Sequence, residues 1–224
     1  MLLVYRFLWI AAALGVLACL LALSNPNRRA PVASSQWVSI YLGQFALKAP
    51  ADFRAYRDPL TQMGVNTPNS PIQLRDAIRV ERGVRTGLRL LINTLRTDLQ
   101  ASGGESMFTN PSENYLRLIV RAHDAQKQKI AQAVTDFREK QTRVMRTRGV
   151  TALRTDFEYT HMPLLPLLRF RVQGYLITAP LGTAETLHIV AYHPPERAQE
   201  YRAVFDRMIG SLTVGQAKAE GGGY

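Results

Sequence analysis

Residues 185–212, ETLHIVAYHPPERAQEYRAVFDRMIGSL, join a strand pattern to a helix pattern across two prolines. Glu185 to His193 is rich in β-branched and aromatic residues, which favour strands. Pro194-Pro195 starts a helix at the position where proline is tolerated, and Glu196 lies in its first turn. The segment therefore predicts a sheet on which a helix packs. The predicted buried face of that helix consists of Ala198, Tyr201, Val204, Phe205, Met208, Ile209 and Leu212.

Two further strands precede this segment, at Leu153 to Thr160 and at Leu168 to Thr178, and proline-containing turns separate the three. We predict that they are consecutive antiparallel strands. Near the start of the domain, apolar residues alternate from Trp37 to Lys48 around Gly43. This pattern predicts a strand or hairpin that ends at Pro50.

The middle of the chain predicts helices. Between Leu74 and Gln100 apolar residues recur at helical spacing, and arginines recur on a face roughly 110° away. Gly83 and Gly87 weaken this helix, because each costs about 1 kcal/mol relative to Ala. We name the predicted basic face the arginine stripe, and it consists of Arg75, Arg79, Arg82, Arg85, Arg89 and Arg96.

Tyr115 to Ala122 alternates apolar and polar residues, which predicts a strand with one mostly wet face. Pro59 to Pro71 and Ala101 to Asn114 have the composition of loops. A second helix is predicted from Asp124 to Thr147. Its polar side carries Lys127, Lys129, Arg138, Lys140, Arg143 and Arg146.

The predicted fold class is α/β (α+β), with an N-terminal transmembrane helix followed by an antiparallel sheet packed with helices and a long basic helical insertion. The predicted organisation is a membrane segment at 1–24, a linker at 25–35, a single α/β domain at 36–214 with its helical region at 74–148, and a disordered tail at 215–224.

The first segment directs the chain to a membrane. Phe7 to Leu23 is an apolar run of 17 residues, at the short end of a membrane-spanning helix. We expect an uncleaved anchor, since the run is long for a signal core and Trp9 suits a membrane interface. The anchor residues are Phe7, Leu8, Trp9, Leu14, Leu20 and Leu21.

Two alternatives to an uncleaved anchor stay open. Ala22-Leu23-Ser24 resembles a small-residue cleavage site, which would release a soluble domain. Val16-Leu17-Ala18-Cys19 resembles a lipobox, although the apolar run continues beyond Cys19 and disfavours lipidation. A short basic N-terminal tail usually stays inside the cell, so we expect a single-pass protein of a bacterial inner membrane with its domain in the periplasm.

Charge predicts an anionic partner. The formal net charge is +11, and such a surface favours an acidic protein or anionic lipid. Nucleic acid is not expected, because no helix-turn-helix, zinc-finger or RNA-recognition signature is present. The arginine stripe is the predicted binding surface, since arginine binds carboxylate and phosphate in a bidentate fork. The alternative is that the stripe is a solvated helix face.

No pattern predicts catalysis, a metal site or a cofactor. His188 and His193 differ by five positions on one strand, so their side chains face opposite sides of the sheet. The chain contains no Gly-x-Ser-x-Gly and no Ser-x-x-Lys. Asp156 and Glu158 share a strand face with Arg154, which predicts a cross-strand ionic ladder rather than an acid-base pair.

The two ends of the domain resemble the PsbP/Mog1/DcrB superfamily of small α/β sandwiches. The first end is Gly43-Gln44-Phe45-Ala46-Leu47-Lys48-Ala49-Pro50 with Phe53, which is similar to the opening strand of these domains. The other end is the strand Leu187 to Tyr192, followed by Pro194-Pro195, Tyr201, Phe205 and Ile209-Gly210-Ser211-Leu212, which is similar to their last strand and closing helix.

This resemblance implies a non-catalytic binding or assembly module and assigns no functional residue. Immunity proteins of type VI secretion effectors begin with a similar strand, so an immunity role is one expectation. We expect a non-enzymatic, membrane-anchored binding protein that acts through its basic helical surface. The alternatives are a structural subunit of an inner-membrane complex and an envelope hydrolase.

Overall fold

The computed structural model of the protein describes residues 2–23, 35–57, 72–82, 88–97, 111–147, 150–161, 169–182 and 185–215. The loop predicted at 59–71, most of the loop at 101–114, most of the linker and the tail lie outside these residues. The elements are α1 (Leu2–Leu23), β1 (Trp37–Leu42), β2 (Phe45–Pro50), β3 (Arg54–Arg57), β4 (Ile72–Glu81), β5 (Arg89–Thr97), α2 (Pro111–Ala133), β6 (Thr135–Thr147), β7 (Val150–His161), β8 (Phe170–Pro180), β9 (Glu185–His193), a 3-10 helix (Pro195–Arg197), α3 (Ala198–Ser211) and β10 (Thr213–Val214).

The opening hairpin is confirmed. β1 and β2 pair antiparallel with Leu42 opposite Phe45, and Gly43 makes the turn with a φ of 60°. A residue with a side chain rarely adopts this left-handed backbone conformation, which explains the glycine at this position. β10 pairs with β2, so this last strand of the domain and the opening hairpin together form a small three-stranded sheet.

The helix predicted between Leu74 and Gln100 is wrong. β4 and β5 pair antiparallel there, with Ile78 opposite Ile92 and Val80 opposite Leu90. A register shift between Leu74 and Asp76 inserts an extra residue into β4. The bulge moves Leu74 out of alternation with the residues that follow, and burial of consecutive side chains such as Ala77 and Ile78 adds to the apparent helical spacing.

The assignments of the next two elements are also wrong. Tyr115 to Ala122 lies in α2, and the helix predicted to reach Thr147 ends at Ala133. Asp136, with a φ of 54°, lies just beyond this end at the start of β6. The long basic helical insertion is therefore one helix among three strands.

The last third of the domain follows the sequence prediction. β7, β8 and β9 are consecutive antiparallel strands, and the 3-10 helix after Pro194 leads into α3. α3 buries Tyr201, Phe205, Met208 and Ile209. The predicted strand-to-helix unit is confirmed.

The large sheet has seven antiparallel strands in the order β3-β4-β5-β9-β8-β7-β6. One face packs against α3 and the small sheet, where Phe45, Ile92, Ile189 and Phe205 share a core. The other face packs against α2 through a second cluster around Ile130. Because both faces are covered, β8 and β9 bury most of their side chains, while β3 and β6 form the edges.

Candidate interaction surface

The arginine stripe does not form one helical face. Arg75 binds Glu185 at 2.6 Å on β9, and Arg82 binds Asp52 at 2.7 Å. Arg96 lies on β5 opposite Gln73, and Arg85 lies outside the described residues. Each described pair brings together elements far apart in sequence, so these arginines contribute to the fold. Whether any of them binds a partner stays a prediction.

Among the described side chains of the stripe, those of Arg79 and Arg89 meet at one point. They flank the buried Glu81 carboxylate, with Nε–Oε2 distances of 3.5 and 3.0 Å. Arg79 also lies over the ring of Tyr56, 5.5 Å from its centroid. The meeting follows from strand register, since Glu81 pairs with Arg89 across β4 and β5.

The predicted anchor residues lie on α1. Phe7, Leu8, Trp9 and Leu14 are exposed, while Leu20 and Leu21 lie at the end of the helix, where side chains are not described. Cys19 is a free, exposed thiol. Among the described residues, no helix has the length and apolar character that crossing a membrane requires.

The edge strand β6 is an accessible basic element. It runs for 13 residues and, in the described part of the chain, pairs only with β7. Most of its side chains are exposed, and Val144 is 65% exposed. Its exposed cations are Arg138, Lys140, Arg143 and Arg146.

An ionic ladder joins β6 to β7 on one face, as the sequence predicts. Lys140 binds Glu158 at 2.6 Å, and Arg143 lies 3.7 Å from Asp156. The hydrogen bond from Lys140 lowers the pKa of Glu158 below its usual value. The ladder fixes the basic side chains along the edge of the sheet.

Asp156 is the centre of a larger charge cluster below this ladder. Arg154 donates to Asp156 Oδ1 from Nε at 3.3 Å and from Nη2 at 3.2 Å, and both side chains are buried. The Arg154 guanidinium stacks 3.9 Å from the ring centroid of Tyr175, which fixes its position. Arg202 approaches the same carboxylate from α3 at 3.6 Å.

A second polar group is buried under α2, on the opposite face of the sheet. His188 Nδ1 lies 3.0 Å from Thr178 Oγ1, which lies 2.9 Å from His123 Nδ1. His188 Nε2 and Thr186 Oγ1 are 2.9 Å apart, and His123 Nε2 and Thr155 Oγ1 are 2.7 Å apart. All five side chains are buried, so this chain of hydrogen bonds ties α2 to three strands.

The chain of hydrogen bonds continues to the surface along β6. Thr155 Oγ1 lies 2.5 Å from Thr142 Oγ1, which donates to Glu139 Oε1 at 2.6 Å. Glu139 also pairs with Lys127 of α2 at 3.1 Å. The Thr142 hydrogen bond and Lys127 lower the pKa of Glu139, which keeps this carboxylate ionised at neutral pH.

The ionised carboxylate fixes the direction of the bonds from Glu139 as far as His123. Thr142 donates to Glu139 and so accepts from Thr155, because a hydroxyl has one hydrogen. Thr155 must then accept from His123 Nε2–H. Burial lowers the pKa values of the two histidines, to about 4 for His123 and about 3 for His188, so both are neutral at pH 7. With His123 neutral, its Nδ1 accepts from Thr178, and Thr178 accepts from His188 Nδ1–H.

His193 lies on the other face of β9, as predicted. Its Nδ1 lies 3.1 Å from the carbonyl oxygen of Pro194, and Arg202 Nε donates to its Nε2 at 3.4 Å. Burial lowers its pKa to about 4. The described residues contain no group of three or more His, Cys, Asp or Glu side chains that could hold a metal ion.

The comparisons with known proteins give similarity at the level of solved structures. No family model matches the sequence, and no curated protein matches it. A PsbP from Synechocystis sp. PCC 6803 is 10% identical with a TM-score of 0.42, over 82% of this chain and 94% of that one. LpqN of Mycobacterium tuberculosis, which is involved in cell envelope biogenesis, is 10% identical with a TM-score of 0.42, over 83% and 99%.

The Ran-binding protein Mog1p of Saccharomyces cerevisiae is 13% identical with a TM-score of 0.40, over 80% of this chain and 94% of that one. PsbP and Mog1 are two of the names in the resemblance described for the two ends of the domain. The identities lie below 25% and the TM-scores below 0.5, so no functional conclusion follows from them.

Sequence reasoning missed the edge strand, the histidine chain and the approach of Arg143 and Arg202 to Asp156. The four cations of β6 were assigned to a helix face, although Val144 and Met145 at the centre of this stretch fit a strand equally well. Nothing local marks the histidine chain, because His123, Thr155, Thr178 and His188 lie far apart in sequence.

Proposed function

We propose that this chain is a non-enzymatic binding protein that takes an acidic, extended segment of a protein partner on the free edge of β6. The observation that carries the proposal is that β6 is long and exposed and, among the described residues, is paired along one side only. The free side of such a strand presents backbone N–H and C=O groups that a second strand completes.

The charge of β6 defines the partner. Arg138, Lys140, Arg143 and Arg146 outnumber Asp136 and Glu139 on this strand. Like charges directly opposite each other destabilise a strand pair, so antiparallel pairing with β6 of a second copy is disfavoured. An acidic strand gains cross-strand ion pairs instead, which supports a heterologous acidic partner.

We further propose that α1 anchors the domain at the periplasmic side of a bacterial inner membrane. The apolar side chains around α1 are exposed in the described part of the helix, and an exposed helix that is apolar all round fits a lipid environment. A reporter fused after Tyr224 that is active only outside the cytoplasm tests the side of the membrane. The mass of the mature N-terminus tests retention of the segment, and a chain that begins near Asn25 would contradict the anchor.

The partner site is tested with a synthetic strand of about nine residues, a normal strand length, that alternates Glu and Thr. The full chain in mild non-ionic detergent is expected to bind this peptide and not its Lys-Thr counterpart. Hydrogen exchange should show new protection at alternate amides of β6, since every second N–H points to the free side. Binding without protection in β6 would contradict strand addition.

The charge argument is tested with Arg138→Gln/Lys140→Gln/Arg146→Gln. This variant should weaken peptide binding by about tenfold, from roughly 0.5 kcal/mol for each exposed charge. The matched control is Arg117→Gln/Arg121→Gln/Lys129→Gln, which removes three exposed cations from α2. If both triple variants weaken binding equally, net charge rather than the β6 edge attracts the peptide.

A further inference from the structure

Three arginines from three elements surround the carboxylate of Asp156. Arg154 of β7 makes two hydrogen bonds to Oδ1, Arg202 of α3 lies 3.6 Å from Oδ1, and Arg143 of β6 lies 3.7 Å from Oδ2. The two longer distances exceed those of hydrogen bonds. Arg143 and Arg202 therefore pair with Asp156 by charge and donate no hydrogen bond to it, while Arg202 Nε donates to His193 Nε2.

The cluster has more positive than negative charge. Its other acid is Asp206, which lies 3.7 Å from Arg154 and accepts a hydrogen bond from the Tyr175 hydroxyl at 3.3 Å. Three guanidinium groups against two carboxylates leave one positive charge. The neighbouring Lys140 and Glu158 cancel each other, and His193 beside Arg202 is neutral at pH 7.

The excess positive charge lies on the more exposed arginines of the cluster. Arg154 and Asp156 are nearly closed to solvent, whereas the Arg143 side chain is 49% exposed and that of Arg202 36%. Arg154 cannot turn outward, because it stacks on Tyr175 and is bound to Asp156. A fixed buried pair thus lies beneath two open guanidinium groups, which is a preorganised arrangement for an anionic group with two oxygens.

We propose that Arg143 and Arg202, the two exposed arginines beside Asp156, bind a carboxylate of the partner. This inference rests on the proposed function, since the carboxylate belongs to an acidic side chain of the strand added at β6. Arg143 lies opposite Arg154 in the register of β6 and β7, so its side chain lies on the face that carries the cluster. A residue of the added strand opposite Arg143 would have its Cβ about 5 Å away on that face.

The site is tested with Arg202→Gln, because Arg202 lies on α3 and takes no part in the β6 edge. In the full chain in mild detergent, this variant should weaken binding of the Glu-Thr peptide by about tenfold or more, the effect of losing a charged hydrogen bond. Arg197→Gln is the matched control, since Arg197 is partly exposed just before α3 and pairs with Glu200 instead. Replacing the central Glu of the peptide by Gln should abolish the difference between wild type and Arg202→Gln.

Three outcomes overturn the inference. If the peptide protects β6 but binds Arg202→Gln as tightly as wild type, the carboxylate site is wrong and the edge proposal stands. If the peptide does not bind, the edge proposal fails, and with it the assignment of the carboxylate to a partner strand. If inorganic phosphate shifts the Arg202 Nε–H resonance at far lower concentration than acetate, the site takes free phosphate rather than a protein side chain.

Discussion

Acid should unfold this protein through His123 and His188. Their folded-state pKa values are lowered to about 4 and about 3 by burial, against 6.5 in an exposed histidine. The unfolded chain therefore takes up protons below pH 6.5 that the folded chain does not. The stability that rests on neutral histidines is complete above about pH 6.5, and it is lost as the pH falls towards 4.

Burial gives the physical reason. Both rings are buried, and Lys127 adds a positive charge near His123, so a proton on either ring would create a charge without its full solvation. Protonation of the folded chain therefore costs free energy, and acid favours the unfolded chain. From pH 7 to pH 5, the shift of His123 alone corresponds to a loss of about 2 kcal/mol in the free energy of unfolding. His188 adds a loss of similar size, which is large beside a typical total of about 5–15 kcal/mol.

The measurement is urea unfolding of the full chain in non-ionic detergent, followed by far-UV circular dichroism at pH 7 and pH 5. His123→Gln should lose about 2 kcal/mol less than wild type between these pH values, whatever its stability at pH 7. His161→Gln is the control, because His161 lies at an exposed end of β7 and stacks only on Phe170 among the described rings. An unchanged pH dependence in His123→Gln would refute the argument that His123 must be neutral in the folded state.

Two further substitutions test the packing of the sheet and the charge cluster. Gly174→Ala should destabilise the domain by about 1–3 kcal/mol, because the new Cβ would lie 2.5 Å from the backbone oxygen of Ala191. Gly210→Ala is the control, because a new Cβ at this position of α3 has no atom within 4 Å, and it should raise the melting temperature slightly. A melting temperature of Gly174→Ala equal to that of wild type would contradict the prediction. Asp156→Asn should cost about 3–5 kcal/mol, since it leaves the surrounding arginines without their central charge. Glu158→Gln is the control, because Glu158 is a more exposed partner of Lys140, and its loss should cost less than about 1 kcal/mol. If both variants lose the same free energy of unfolding in urea, burial does not make the charge of Asp156 more important than that of Glu158.

The errors between residues 74 and 147 have one physical source. A strand covered on both faces buries consecutive side chains, such as Ala77 and Ile78 of β4, so period-two alternation disappears from the sequence. In α2 the reverse occurs: Leu116 and Val120 are exposed and mimic alternation, while Leu118, Ile119, Ala122 and His123 form the buried face. Local periodicity cannot separate these cases, because it does not report what lies above and below the element.

The ends of the domain were predictable because their signals are local. A turn glycine separates two alternating runs at Gly43, and two prolines divide β9 from the final helix. Each strand or helix in these two units was predicted to bury one face, so the spacing of its apolar residues indicates its secondary structure. The ionic ladder of β7 follows from the same rule, since alternate residues of a strand share a face.

The sequence by itself determined the antiparallel strands β7 to β9, the helix that packs on them, the opening hairpin and the basic character of the surface. Those features depend on periodicity, turn residues and charge, which are properties of neighbouring residues. Only the tertiary structure decided that Arg143, Arg154 and Arg202 meet at Asp156, and that His123 and His188 share Thr178. Strand order and register bring these distant side chains together, and no local pattern encodes them. The candidate site therefore became visible only once β6 was placed at the edge of the sheet.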